Sequence, residues 1–533
     1  MATYTYPGVY VEEVPSGVRT IVGVSTSDTA FVDFFARGPI NQAVRVTGME
    51  DFTRRFGGLH RDSDASYAIS QYFLNGGQIA WVVRAAAGTP VAAERTFGGG
   101  GSPSGGTLGV RAKSPGTWGL SLQVGIDNRT RDRTNFPNEF NLVVREVGVV
   151  SGRRQVVASE IHRNLVMDRT STRSVRGVVS EGSELIEVFD VGPGPPPAVT
   201  GADVTSPEVV GNPDSTAGLF QPLGAGQSPA PSNGSAPEAP ELMAGVRALA
   251  QIAPNVFSIL CLPRAAKLDR GSMASVYVAA AEFCAVHRAF LIVDPPDGVD
   301  TLDELTNWMS SGGGDGIRSR NAALYFPPVE IADALNENRP LAVGPSGTMA
   351  GVYARTDATR GVWKAPAGTD ARLRGVSLTA RLTDLQNGGL NPAGINVLRT
   401  FPIFGNVAWG ARTLEGADQQ ASEWKYIPVR RTALFIEESL FQALKWVVFE
   451  PNDEPLWSQI RLNVGAFMHD LFRQGAFQGA TPARAYFVKC DGETTTQTDI
   501  DRGVVNILVG FAPLKPAEFV VIRIQQIAGQ IET

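Results

Sequence analysis

Cysteine is almost missing from this 533-residue chain, which has only Cys261, Cys284 and Cys490. An odd count without metal-ligand spacing excludes a disulfide framework and a zinc module, and suits synthesis in a reducing compartment. Histidine is equally sparse: His60, His162, His287 and His469 lie far apart, outside any HExxH or Cys/His pattern, so they read as surface or packing residues. No apolar run approaches the roughly 20 residues of a membrane-spanning helix. The longest runs, such as 289–293, are strand-sized, and the N-terminus lacks the basic start and apolar stretch of a secretion signal. There is no excess of positive charge either. The 47 Lys plus Arg face 53 Asp plus Glu, a net charge of −6, which argues against a nucleic-acid binder working by phosphate neutralisation. Lysine is scarce, with seven residues, so nearly all positive charge is arginine, a hint of a GC-rich genome that settles no host.

Glycine (58) and proline (35) are abundant, and they predict many loops and at least one flexible insertion. Two stretches concentrate them, 98–106 and 191–240. Both read as linkers or solvent-facing loops, with too little apolar surface to offset chain entropy. Before the first stretch, strand-like runs at 18–24 and 29–32 precede an amphipathic helix stopped at Asn75-Gly76-Gly77, followed by a strand over 78–84. From 112 to 188 short alternating strands, for example 120–124 and 140–144, predict an all-β module. After residue 250, apolar strands at 256–260, 290–293 and 322–326 alternate with helices at 273–287 and 302–309, which predicts a parallel sheet covered on both faces. The last block carries two helical stripes, Ile436, Leu440, Ala443, Leu444, Val447 and then Trp457, Ile460, Val464, Phe467, Met468, Leu471. Asp453, Glu454 and Pro455 suit the start of the second helix. Three strand candidates, 485–489, 504–509 and 519–524, close the chain.

Chemistry is hard to find. There is no GxxxxGK[ST] phosphate loop, and the glycine run at 98 follows no strand and opens no helix. Ser346-Gly347-Thr348-Met349-Ala350-Gly351 resembles the Gly-Thr-Ser-Met-Ala of subtilisin-type proteases, but the serine between Thr and Met is absent. Asp294 and His287 lie in the same block without a pattern that marks a triad. Paired carboxylates such as Glu12-Glu13 and Glu437-Glu438 fit an exposed arm and a solvated helix face. No catalytic residue, metal or cofactor is expected, and the chain is read as a non-enzyme.

The run Tyr6-Pro7-Gly8-Val9-Tyr10-Val11-Glu12-Glu13 is similar to the opening of contractile tail sheath proteins, the family of contractile phage tails, tailocins and injection systems. The resemblance continues in order through Arg37-Gly38-Pro39, Phe56-Gly57-Gly58, the run 72–77, Trp81-Val82-Val83-Arg84 and Ser114-Pro115-Gly116-Thr117-Trp118-Gly119. It resumes at 347–351, Ala354-Arg355-Thr356-Asp357, the run 360–367, Trp409-Gly410-Ala411-Arg412-Thr413-Leu414, Phe449-Glu450-Pro451-Asn452 and Pro516-Ala517-Glu518-Phe519. It covers roughly 1–90, 112–170 and 250–533, and the 191–240 tract departs from it.

The resemblance implies an α+β multidomain fold with a central α/β subtilisin-like but non-catalytic domain, an inserted β-rich domain, an α+β C-terminal sheath domain and extended N- and C-terminal arms. Its ranges are 1–25 for the N-terminal arm, 26–95 for the first part of the core, 96–245 for the β-rich outer module, 246–345 for the α/β domain, 346–510 for the C-terminal domain and 511–533 for the C-terminal arm. It also implies a subunit that stacks helically around an inner tube in a metastable extended state and contracts to drive the tube through a target envelope. Its partners would be its own copies, the tube protein, and baseplate and tail terminator or cap proteins, with no nucleic acid and no membrane insertion. Assembly would take place in the bacterial cytoplasm, into a phage tail or injection-system particle.

In that family the arms add strands to a neighbour's sheet. Here this implies Val18, Thr20, Ile21, Val22 and Val24 at one end and Phe519, Val520, Val521, Ile522 and Ile524 at the other. Tyr486, Val488, Val505, Ile507 and Val509 are acceptor-sheet candidates, and pairing of the arms within their own chain is the alternative. Glu437, Glu438, Arg461 and Arg473 are tube-contact candidates, the alternative being ordinary solvated charges. Another self-assembling shell protein and a subtilisin-like hydrolase are the competing readings of the whole chain.

Overall fold

The computed structural model describes residues 19–98, 106–215, 219–252, 257–310, 314–521 and 523. The opening motif, Val18, the glycine run at 99–105, Ile522 and Ile524 lie outside the described residues. The chain divides into two compact units. The larger comprises Ser27–Arg355 with Pro366–Glu423, and the smaller Met1–Thr26, Thr356–Ala365 and Trp424–Thr533.

In the larger unit the continuous apolar runs form the middle of an eight-stranded sheet. Strands Ile395–Phe401, Ala322–Phe326, Phe290–Val293, Ile259–Cys261, Thr29–Asp33 and Ala80–Arg84 are parallel in that spatial order, and antiparallel Gly405–Ala408 and Ala43–Val46 flank them. Every residue of Thr29–Asp33, Ala80–Arg84, Phe290–Val293 and Ala322–Phe326 is buried, which is why these strands read as unbroken apolar runs. Val32, Val83, Leu260, Leu291 and Leu324 share one core with Leu242 and Val246 of helix Ala239–Ala248 and Met273 and Tyr277 of helix Arg270–Val286. Helix Asp64–Asn75 starts on a cap in which Ser63 accepts from the Ser66 amide, and stops at Gly76, whose φ of 121° suits glycine. The helix that begins at Ser346 meets it closely: a Cβ on Gly347 would overlap the Ala68 backbone. The expected parallel sheet is present, with strands also drawn from 29–33, 80–84 and 395–401, far outside the 246–345 stretch.

The same unit contains the expected β-rich module. An antiparallel sheet of Gln221–Pro222, Leu122–Asp127, Phe140–Val150 and Arg153–Leu165 shares a core with a second sheet of Glu94–Phe97, Leu108–Ala112 and Ile186–Val191. Leu120 and Ser121 are not strand as expected. They close a 3₁₀ turn, Thr117–Ser121, in which the Ser121 hydroxyl bonds back to the Trp118 carbonyl at 2.6 Å.

The 191–240 tract is mostly solvent-facing loop, as one of its two readings has it, but its described part is packed on the module and is no free linker. Val204, Val210 and Leu223 are buried. Arg145 reaches from Phe140–Val150 to the carbonyls of Val209 (2.9 Å) and Asn212 (2.7 Å) and lies 3.8 Å from the centre of the Phe220 ring. Buried backbone polar groups need partners, and here a guanidinium supplies what a poorly apolar loop cannot.

The smaller unit is built on helices Ile427–Ala443 and Glu454–Arg473. The second helix buries its whole predicted stripe and is capped by Asp453, which accepts from the Leu456 amide. The first helix ends at Ala443, and Leu444 and Val447 continue its stripe from a 3₁₀ turn, Leu444–Val447. Strands Tyr486–Lys489 and Leu508–Phe511 form a two-stranded antiparallel ribbon packed on this core. The second strand starts four residues later than 504–509 predicts, because residues 504–507 close the preceding helix. Val504 donates to the Asp499 carbonyl at 2.8 Å, and the Asn506 amide donates to Thr495 Oγ1 at 3.1 Å.

Candidate assembly surfaces

The arm residues after Val18 form no strand in this chain. They run extended along the helices of the smaller unit, held mainly by side chains. The Arg19 amide donates to Asn463 Oδ1 (3.0 Å) and its guanidinium lies 4.6 Å from the Trp446 ring centre. Ile21 is buried in the helical core. Gly23 lies under the Phe435 ring, where a Cβ would sit 2.7 Å from the ring, and the Val24 amide donates to Ser439 Oγ at 3.1 Å. Thr20 and Val22 face outward, Val22 with 77% of its surface exposed.

Arg431, on helix Ile427–Ala443, completes this anchor. Its guanidinium is bidentate to Asp357 (2.9 and 2.6 Å) and donates to the Thr26 carbonyl at 2.8 Å, with both charged side chains buried. Sequence reading missed this residue, although Asp357 lies in the Ala354–Asp357 motif and Arg430-Arg431 is a basic pair on an otherwise apolar helix face.

At the other end of the chain, Phe519, Val520 and Val521 are 76%, 83% and 77% exposed and belong to no strand. The ribbon has no further strand on either edge among the described residues. A lone two-stranded ribbon is marginal in water, and open edges are templates for another strand. Of the acceptor candidates, Tyr486, Val488 and Val509 are in the ribbon with side chains packed on the core. Val505 and Ile507 pack on the same core from the preceding loop, outside the ribbon. Phe487 points outward across Gly510, its cross-strand partner.

The four charged candidates are not alike. Glu438 is buried at 5% exposure and accepts from the Gln442 amide group at 2.6 Å, so it does not belong to the solvated face expected of it. Glu437 pairs with Arg430 at 3.0 Å, and Arg461 pairs with Glu454 and donates to the Cys490 carbonyl. The Glu454 carboxylate raises the Arg461 pKa further. Arg473 is exposed in the last turn of its helix.

The protease-like motif lies in the larger unit and is closed. Residues 346–354 are buried in the first turns of their helix. The Ser346 hydroxyl and amide both donate to Asp294 (2.6 and 2.8 Å), at the C-terminal end of strand Phe290–Val293. Burial pushes the Asp294 carboxyl up to about 7 against its ordinary 3.8, opposed by the two Ser346 bonds. Burial, reinforced by the nearby Asp64, also raises Asp33. The pair therefore clamps the start of a helix, and a buried hydroxyl bonded to a carboxylate lacks both the histidine and the access a serine nucleophile requires. His287 lies elsewhere, against Phe283 at the end of helix Arg270–Val286. Beside the clamp a cavity of about 220 Å³ is lined by Asp64, Lys267, Pro296, Asp297 and Gly344. Among the described residues no group of three or more His, Cys, Asp or Glu side chains could hold a metal ion, and no helix is long and apolar enough to cross a membrane.

Residues 419–527 match the phage tail sheath C-terminal domain. The chain is 25% identical over 238 residues to a Pseudomonas aeruginosa (strain UCBPP-PA14) chain carrying the name prophage major tail sheath protein, covering 43% of this chain and 56% of that one. It is 28% identical over 180 residues to the tail sheath protein of Vibrio phage KVP40, covering 33% of this chain and 26% of that one. The chain thus spans about half the length of the first of these relatives and a quarter of the second. Among solved structures, the sheath of the PVC extracellular contractile injection system in its contracted state has a TM-score of 0.55 at 20% identity over 99% of both chains. The contracted helical sheath of the anti-feeding prophage has a TM-score of 0.55 at 24% identity, over 98% of this chain and 100% of that one. A sheath tail protein of Listeria innocua has a TM-score of 0.57 at 13% identity, over 93% of this chain and 96% of that one. Residues 419–527 thus carry a phage tail sheath C-terminal domain, and the chain as a whole has the fold of sheath subunits.

Proposed function

We propose that this chain is the repeating subunit of a contractile sheath, polymerised helically around an inner tube in a metastable extended state and contracting to drive that tube through an envelope. The observation that carries the reading is a ribbon with no third strand among the described residues, in a chain that also exposes Phe519, Val520 and Val521. A strand from a neighbour would complete a ladder of backbone hydrogen bonds that survives while flanking segments turn. Phe519 to Val521, with Ile522 and Ile524, supply one such strand, and the N-terminal arm supplies the other. Because Arg19 to Thr26 bond to their own helices, the donated N-terminal part begins before Arg19, so Val18 marks its end.

The parallel sheet, with Asp294 at a strand end and a helix starting at Ser346, supports a subtilisin-like architecture without protease activity. Baseplate and cap proteins are the expected axial partners and the bacterial cytoplasm the site of assembly, in a phage tail or injection-system particle. For the inner tube, Arg473 is the leading contact, because Glu437 and Arg461 already hold partners. Charge reversal at Arg473 that left tube-filled extended sheaths intact would remove that contact.

Negative-stain microscopy of the purified chain tests the main reading: hollow tubes are expected, and monodisperse monomers with hydrolytic turnover would overturn it. Truncation after Pro516, or deletion of the arm before Arg19, is expected to abolish tubes. Tubes of normal length from either truncated chain would sink strand exchange.

A further inference from the structure

The chain passes between its two compact units four times, at Thr26/Ser27, Arg355/Thr356, Ala365/Pro366 and Glu423/Trp424. In the smaller unit, consecutive arginines of one helix hold three of these four exits. Arg431 bonds the Thr26 carbonyl and the Asp357 carboxylate. Arg430 stacks over the Trp424 ring at 4.8 Å and pairs with Glu437 at 3.0 Å. The Arg431–Asp357 pair is bidentate and buried, the geometry in which a guanidinium gives most directional strength, and its third bond lands on the last residue of the arm root. A helix interior rarely buries two adjacent arginines unless their bonds are needed.

We propose that Arg431 is a positioning residue for sheath contraction, an anchor that passes a pull on the N-terminal arm into helix Ile427–Ala443 and Asp357 instead of letting the arm peel from its own subunit. This rests on the sheath reading above. If neighbours are linked through a strand contributed by the arm, the link is only as firm as the arm's attachment to its owner. Besides the buried Ile21 and the Arg19 guanidinium on Trp446, that attachment includes the bonds at Asn463 and Ser439 and ends at Arg431, the only charged partner that the helices contribute among these three bonds. Pulled from its N-terminal end, a segment so held loses the Arg19 and Val24 bonds first and stops at Arg431.

Hydrogen exchange on the full-length, unassembled chain reads the anchor directly, through the amides of Arg19 and Val24. Arg431→Lys keeps a cation but loses the planar fork, and Asp357→Asn is the milder change should the lysine variant fail to fold. Both are expected to speed exchange of the Val24 amide by roughly ten- to a hundredfold, the worth of one charge-assisted hydrogen bond, while Val464 and Phe467 amides in the neighbouring helix keep their protection. Glu437→Gln, which removes the adjacent pair, is expected to leave the arm amides unchanged. Unaltered protection of residues 19–24 in both variants, or loss spread evenly through the unit, overturns the anchor. Because this readout needs no assembly, it stands apart from the sheath reading, which fails separately if the wild-type chain forms no tubes. Where tubes form, Asp357→Asn tubes are expected to be shorter than wild type, and equal lengths would also count against the proposal.

Discussion

The eight-stranded sheet of the larger unit and the ribbon of the smaller one treat their edges oppositely. The sheet ends in antiparallel strands, and beyond Gly405–Ala408 the segment 368–373 bonds across, with Gly368 and Leu373 donating to the Ala408 and Asn406 carbonyls. Its central strands are buried on both faces and its Gly405–Ala408 edge is covered. The ribbon has two strands and no third among the described residues, with Phe487 and Leu508 on its exposed side. A covered edge keeps a subunit from aggregating at random, whereas an open one invites a strand of the right length and chemistry. One chain therefore carries a finished body and, on the reading proposed above, a part that other copies would complete.

Four variants sharpen that contrast. Leu324→Ala, in the middle of the sheet, is expected to cost about 2–5 kcal/mol by leaving a cavity where the core cannot collapse. A denaturant titration showing less than about 1 kcal/mol would mean the body is looser than its burial implies. Asp294→Asn tests the clamp at the sheet's C-terminal side. Since its folded pKa lies near 7 against 3.8, the native state holds the proton more tightly. The stabilisation is thus full below about pH 4 and is lost as pH rises to about 7, by a few kcal/mol. The asparagine variant is expected to flatten this part of the stability-versus-pH curve, and an unchanged slope would relieve Asp294 of that role. In the smaller unit, Asp453→Ala removes the cap of helix Glu454–Arg473 and is expected to cost about 1 kcal/mol, read as a lowered unfolding midpoint. The smallest effect on stability belongs to the tail. Phe519→Ser with Val521→Ser is expected to shift the unassembled chain by no more than about 0.5 kcal/mol while abolishing tubes. Normal tubes from that double variant would show that the tail is not the donated strand.

What could be read in the sequence tracks the range of the interactions involved. Period and punctuation are local, so the runs 290–293 and 322–326, the stripe from Trp457 to Leu471 and the caps at Asp453 and Gly76 were legible. Residues 18–24 have strand composition, yet 19–24 are fixed by Asn463 and Ser439, more than 400 positions away, and no local pattern reports such partners. The 191–240 tract misled for a related reason. Composition measures how much apolar surface a loop can bury, but not whether a distant arginine will satisfy its carbonyls. Glu437 and Glu438 are sequence neighbours with opposite fates because helical geometry sends adjacent side chains about 100° apart. Arg431 and Asp357, 74 positions apart, each stood in a readable local pattern, a basic pair on an apolar helix face and the Ala354–Asp357 motif, but neither pattern names the other as its partner.

Arg145 has a practical consequence for labelling this protein. It gathers the loop around Val209–Asn212 from within the β module, so that loop is held by a guanidinium as well as by its own backbone. Ala225, by contrast, is exposed, and its neighbour Gly226, whose φ of 74° favours glycine, has open space beside it. A short peptide tag or fluorophore site placed at Ala225 thus leaves the carbonyl cradle of Arg145 untouched. If copies of the chain stack as proposed, such a label would repeat once per subunit along the particle, a regular row of reporters for following its change in length.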